Sequence, residues 1–172
     1  MQKKRILFGI LLTLSIVMTG IWGSYTASAE AETETFTKKN VVVLDPGHGG
    51  ADSGSYEVHK GHVYNESVIN WKIACYTMEE LKKYPDIEVY MTRTKNQNKG
   101  LVSRVLTAKS YGADLLVSQH VNSTESRYVK GASVLISKGT YRSYLADKEK
   151  LFGKCVIKEL TRLGLTRRYS AT

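Results

Sequence analysis

Val41-Val42-Val43-Leu44 is a short run of apolar, mostly β-branched residues, the composition of a buried strand. Asp45-Pro46-Gly47 ends it, because proline lacks an N–H and glycine accepts a positive φ. The residues from Ala51 to Asn65 read as a loop. From Glu66 to Tyr84, Trp71, Cys75, Met78 and Leu81 recur at the spacing of one helical face; Lys82-Lys83 suit its carboxyl end and Pro85 closes it. Ile87 to Thr92 alternates as a strand, and Leu101 to Tyr111 reads as a second helix ended by Gly112. Two further strands are predicted at Leu115–Gln119 and Gly131–Ser137. Ser143 to Leu163 completes the pattern as a long amphipathic helix, with Leu145, Phe152, Val156, Leu160 and Leu163 packing on the sheet. Strands alternating with helices predict an α/β fold with a parallel sheet, in a chain long enough for one domain.

The amino terminus follows a different pattern. Lys3-Lys4-Arg5 precedes an almost uninterrupted apolar run from Ile6 to Trp22, and Ala27-Ser28-Ala29 supplies a small-residue cleavage site. Residues 1–29 therefore read as a secretory signal peptide, in preference to an uncleaved anchor of seventeen apolar-rich residues. Residues 30–40 are polar and read as a flexible lead-in to a domain over 41–172. The expected location is outside the cell or in the cell wall, with no stable membrane insertion after cleavage. Removing residues 1–29 takes away three of the 25 basic residues and none of the 16 acidic ones. The remaining excess lies in residues 138–168, which carry nine basic against three acidic side chains, while residues 30–137 are balanced. A modest basic excess on one helix of an exported chain argues against a nucleic-acid partner. Cys75 and Cys155 both fall in apolar helical patterns and are expected as buried free thiols rather than a disulfide.

Candidate chemistry gathers at three positions. His48 and His120 each follow a strand and should share one edge of the sheet, where ligands of open α/β sheets sit. Glu66 opens the first helix, 18 residues after His48. Two imidazoles and one carboxylate with an open fourth position describe a catalytic zinc site, where the metal polarises a carbonyl and lowers the pKa of bound water toward about 7. Each residue also has a plainer reading. His48 could be satisfied in its glycine-rich turn, Glu66 could answer the helix macrodipole, and His120 could be an ordinary strand-end residue.

The segment from Asp45-Pro46-Gly47-His48-Gly49-Gly50 to Ala51-Asp52-Ser53-Gly54 resembles the opening motif of the zinc-dependent N-acetylmuramoyl-L-alanine amidases, the amidase-3 group of bacterial cell-wall hydrolases. The likeness continues, in the family's order, at Asn65-Glu66, at Met91-Thr92-Arg93, at Arg104 and from Ala113 to Asn122. By this resemblance the zinc ligands are His48, Glu66 and His120, one Zn2+ per chain. The implied fold is a three-layer α/β/α sandwich around a mostly parallel sheet. The implied reaction is hydrolysis of the amide joining N-acetylmuramic acid to L-alanine in peptidoglycan.

One feature of the family is not found. Its members end in a further strand bearing a glutamate, in a Glu-x-Gly-Phe-like setting, that serves as general base. This sequence finishes Arg167-Arg168-Tyr169-Ser170-Ala171-Thr172. The expectation is therefore a chain truncated before its catalytic glutamate and lacking its last strand, so that no catalytic residue beyond the metal ligands is assigned. The alternative is a catalytically impaired peptidoglycan-binding or regulatory remnant. Glu57 and Glu125 are the first carboxylates to test as a substitute base. His59 and His62 read as solvated loop residues. Asp45 and Asp52 are candidates to orient the histidine or shape the turn, and Arg93 and Arg104 to pair with acids or with substrate carboxylates. The glycine pattern at 47–54 lacks the Gly-Lys-Ser/Thr ending of a phosphate loop.

Overall fold

The computed structural model describes residues 38–124, 128–136 and 143–168. Residues 1–37, to which the signal-peptide reading belongs, lie outside them, as does Glu125. Among the described residues no helix is long and apolar enough to cross a membrane.

The elements in chain order are β1 (Asn40–Pro46), β2 (Tyr56–His59), β3 (His62–Asn65), α1 (Glu66–Leu81), β4 (Ile87–Met91), α2 (Leu101–Ser110), β5 (Leu115–Gln119), a 3-10 turn (Ser143–Leu145) and α3 (Ala146–Arg162). The main sheet has the order β4-β1-β5 and all its pairings are parallel. Val43 pairs with Tyr90 on one side and Leu116 on the other. The apolar run of β1 is thus the centre of the sheet, and Val43 and Leu44 are fully buried.

The connectivity dictates the layers. The chain leaves β1 for β4 on one side through α1, then crosses back over β1 to β5 through α2. Right-handed crossovers in opposite directions put their helices on opposite faces. Side chains agree with this. On one face Tyr111, which caps α2, stacks on Tyr90 at 4.2 Å, and Arg104 of α2 reaches Asp45. On the other, Gln119 donates to Thr77 of α1 and Arg93 donates to the Ser67 carbonyl. The result is helix, sheet, helix.

Several boundaries differ from the sequence reading. β1 continues through Asp45 and Pro46, because the β5 side still pairs there and the Pro46 carbonyl finds arginine donors. α1 stops at Leu81, where Lys83 and Tyr84 turn to the Glu80 and Leu81 carbonyls three residues back, ahead of Pro85, which restricts Tyr84. Its most buried stripe is Glu66, Ser67, Asn70 and Ala74, while Trp71, Cys75, Met78 and Leu81 flank it half-buried. Small residues along the inner stripe let α1 lie close to β1. The supposed loop over Ala51–Asn65 contains the antiparallel β2–β3 hairpin.

The predicted strand Gly131–Ser137 is not a strand over its described residues. Ala132 makes one isolated bridge to Arg167, and Val134 and Ile136 pack instead against Gly153 of α3. α3 accordingly buries Gly153 and Ile157, whereas Leu163, expected on the inner side, is 80% exposed. Both cysteines are free, with Cys75 half-buried and Cys155 exposed rather than buried.

Candidate metal centre

The strand order reverses at β1, and ligands of such sheets bind at the carboxyl ends of strands beside that reversal. His48 leaves the end of β1, and His120 the end of β5. Glu66 is the first residue of α1, which begins beside them. Together the three offer ligand atoms that all lie within 4.8 Å of one another. His48 Nε2 stands 3.3 Å from Glu66 Oε2, and His120 Nδ1 stands 3.0 Å from Glu66 Oε1. The two imidazoles meet edge to face, with centroids 5.0 Å apart.

Backbone groups fix the carboxylate between them. Ser55 N–H donates to Glu66 Oε2 at 3.0 Å, and Val121 N–H donates to Oε1 at 3.1 Å. In return the first N–H groups of α1, at Glu66 and Ser67, donate to the Ser55 and Ser53 carbonyls. The loop before the helix therefore satisfies donors that every helix start leaves open. Burial is the largest single influence on Glu66 and opposes its charge. The Ser55 N–H, His120, His48 and Asn70 outweigh it and hold the carboxyl below its usual range.

Asp52 completes the first imidazole. Its Oδ2 lies 2.9 Å from His48 Nδ1, and its Oδ1 accepts from the Gly54 N–H at 3.0 Å. These contacts, His48 first, keep the Asp52 carboxyl below its ordinary value. A carboxylate on Nδ1 assigns the proton to that nitrogen and leaves the Nε2 lone pair facing Glu66, the arrangement that orients metal-binding histidines. Two acceptors then point at one spot, which a cation between them satisfies. Donor atoms around a tetrahedral zinc with bonds of about 2.0–2.2 Å stand roughly 3.4 Å apart; each imidazole has a Glu66 oxygen at 3.0–3.3 Å, and the full set of three lies within 4.8 Å. Space is reserved as well: a Cβ on Gly54 would lie 2.6 Å from His48 Cδ2 and 2.9 Å from Glu66 Oε2, and one on Gly47 would run into the His120 ring.

The remaining candidates fall elsewhere. Arg93 and Arg104 are 3% and 6% exposed; Arg93 is taken up by backbone carbonyls and Arg104 by carbonyls and Asp45, which leaves neither facing a substrate. Arg93 donates to the Pro46, Gly47, Ser67, Thr94 and Lys95 carbonyls and packs 5.5 Å over Trp71. Arg104 pairs with Asp45 at 2.8 Å and donates to the Pro46, His48 and Lys99 carbonyls. Asp45 anchors this network rather than His48. His59 and His62 face each other across the exposed end of the hairpin, and Glu57 is exposed on β2. Asn70 escaped the sequence reading. It is buried one helical turn after Glu66, lies beside that carboxylate, and directs its amide nitrogen toward the Gly47 carbonyl at 3.4 Å. A polar residue on the inner stripe of α1 was the available signal.

Comparison with known proteins bears on the chain as a whole. A family profile described as N-acetylmuramoyl-L-alanine amidase matches residues 42–171. The N-acetylmuramoyl-L-alanine amidase AmiC of Escherichia coli O6:H1 is 38% identical over 114 residues, covering 63% of this chain and 27% of that protein. The sporulation-specific N-acetylmuramoyl-L-alanine amidase of Bacillus subtilis is 34% identical over 83 residues, covering 48% of this chain and 31% of that one. Among solved structures, the catalytic domain of CwlV, an N-acetylmuramoyl-L-alanine amidase from Bacillus (Paenibacillus) polymyxa var. colistinus, aligns with a TM-score of 0.59 at 29% identity, over 77% of this chain and 71% of that one. The chain spans between 27% and 50% of the length of the first curated relatives it matches. A profile match across most of the sequence, with the shared layers beneath it, places this chain in the N-acetylmuramoyl-L-alanine amidase family.

Proposed function

We propose that this chain carries the zinc site of a peptidoglycan hydrolase that cleaves the amide between N-acetylmuramic acid and L-alanine, with His48, Glu66 and His120 as the metal ligands. The observation that carries the reading is the convergence of three donor atoms within 4.8 Å, at the strand ends of a chain in this family. A zinc ion held there supplies a Lewis acid for the scissile carbonyl and the attacking water. Asp52 holds the His48 proton on Nδ1. The Ser55 and Val121 amides hold Glu66 as a carboxylate aimed at both imidazoles. Among the described residues, Glu66 and Asp52 are the carboxylates bonded to these imidazoles, and both are kept below their usual pKa range. That makes them weak proton acceptors and suits them to binding and orienting. Lys3-Lys4-Arg5, the apolar run and Ala27-Ser28-Ala29 support export with removal of residues 1–29, which delivers the chain to the compartment of its polymer.

Metal analysis and an end-group assay test the two halves separately. Purified protein should contain about one zinc per chain, and His48→Ala, Glu66→Ala and His120→Ala should each abolish it. On purified peptidoglycan, a protein that carries this domain together with a general base should release new amino termini that are L-alanine, cease on chelation and resume with zinc. Full zinc retention by all three variants would overturn the ligand set. Zinc-dependent release of a different end group would overturn the substrate.

A further inference from the structure

We propose that Arg104 is a positioning residue for the metal centre, acting through the backbone of His48; this rests on the ligand set proposed above. His48 has φ 60°, a left-handed conformation that a non-glycine residue adopts only at an energetic cost. Such a residue persists where its surroundings over-determine it. Its carbonyl accepts a 2.7 Å hydrogen bond from Arg104 Nη2. The same guanidinium donates through Nη1 to the Pro46 carbonyl at 2.9 Å, so one planar group grips the bend on both sides of Gly47. Arg93 takes the Pro46 and Gly47 carbonyls and has no bond to that of His48.

Arg104 is itself fixed. Its Nη1 is 2.8 Å from Asp45 Oδ1 and its Nε donates to the Lys99 carbonyl at 2.8 Å. Four bonds from three nitrogens set the plane of the guanidinium, and a lysine ammonium cannot reproduce that fork. The arginine comes from α2, on the face of the sheet opposite α1 and Glu66. It thus ties the His48 ligand to one helical layer while Glu66 belongs to the other. Fixing the carbonyl fixes the direction in which His48 leaves the chain, and so where Nε2 points. At 6% exposure Arg104 has no route to substrate, which excludes a catalytic role.

A merely structural arginine would lower stability and leave the ligand geometry alone, and the test separates the two. Arg104→Lys and Arg104→Gln are compared with Tyr111→Leu, which removes the stacking of the same helix on Tyr90 without touching the loop. All three should lower Tm. Only the Arg104 variants should weaken zinc binding, by about 10–100-fold in a chelator competition. In metal-free protein only they should shift the His48 imidazole nitrogen resonances and lose the Asp52-bonded Nδ1–H signal. If Arg104→Gln fails to fold, Arg104→Lys carries the comparison. Parent zinc affinity and an unchanged His48 spectrum in a folded Arg104 variant would overturn the proposal. A parent protein that binds no zinc would defeat the ligand set instead, and the metal-free spectra would still decide the role of Arg104.

Discussion

Asp45 accepts hydrogen bonds from Thr92 Oγ1 at 2.5 Å, Arg104 Nη1 at 2.8 Å and Ser118 Oγ at 2.8 Å. Burial, the largest single influence, disfavours its charge, but the three donors and the nearby guanidinium outweigh it, and its carboxyl is held below the usual range. A depressed folded pKa adds stability that is fully present above the unfolded value, near 3.9, and is lost as the pH falls through the folded one. Asp45→Asn should therefore cost about 3–5 kcal/mol near neutrality, because it leaves the buried Arg104 without its counter-charge. The gap between parent and variant in thermal unfolding should narrow only below about pH 4. A gap that is constant down to pH 3 would show that Asp45 is not held as a paired carboxylate. At this scale the sequence was informative wherever a chemical type is rare, as with two strand-end histidines and a helix-start glutamate. It left the arginines open, because a guanidinium that holds carbonyls and one that holds a substrate carboxylate are the same residue until the neighbours are known.

The β2–β3 hairpin turns on Lys60 and Gly61, with φ 49° and 78°, and His59 faces His62 across it. Two left-handed residues between paired strands make the turn type whose twist matches a hairpin and which favours Asn-Gly. Lys60→Asn should recover part of the roughly 1–2 kcal/mol that a left-handed lysine carries and raise Tm by a few degrees, read by calorimetry. A fall in Tm would mean that Lys60 contributes something that its φ does not reveal. The hairpin was read as loop because its strands are largely exposed on both faces, so no alternation of burial was written into them, and Lys-Gly is a weak turn signal. The central strand was legible because burial on both faces demands an apolar run. The segment after Gly131 carries the same composition, yet Val134 and Ile136 meet a helix, and composition alone does not distinguish a sheet neighbour from a helical one.

The domain concentrates its candidate chemistry at one edge of the sheet, and residues 30–172 carry their charge excess in 138–168. The first follows from topology: a sheet that reverses at β1 brings the ends of β1 and β5 together, so parallel alternation read from the sequence already implied that His48 and His120 meet. The second does not require a partner, because charged helix faces are ordinarily solvated. Lys150, Lys154, Lys158 and Arg162 are exposed at four-residue intervals along α3, and Arg162 is partly neutralised by Glu159 at 2.9 Å, as i, i+3 spacing allows. The long-range field of the stripe therefore rests mainly on the three lysines. A wall rich in carboxylates is a polyanion, and attraction to it should be screened as the Debye length falls from about 10 Å at 0.1 M salt to about 3 Å at 1 M. Replacing the four residues with glutamine should reduce co-sedimentation with purified wall at low salt and make no difference at 1 M. Zinc content should be untouched, because the three proposed ligands follow β1, open α1 and follow β5, and none lies on α3. Equal sedimentation of parent and variant at low salt would leave the stripe as a solvated face, and loss of zinc would mean that α3 supports the metal edge through contacts other than those to Val134 and Ile136.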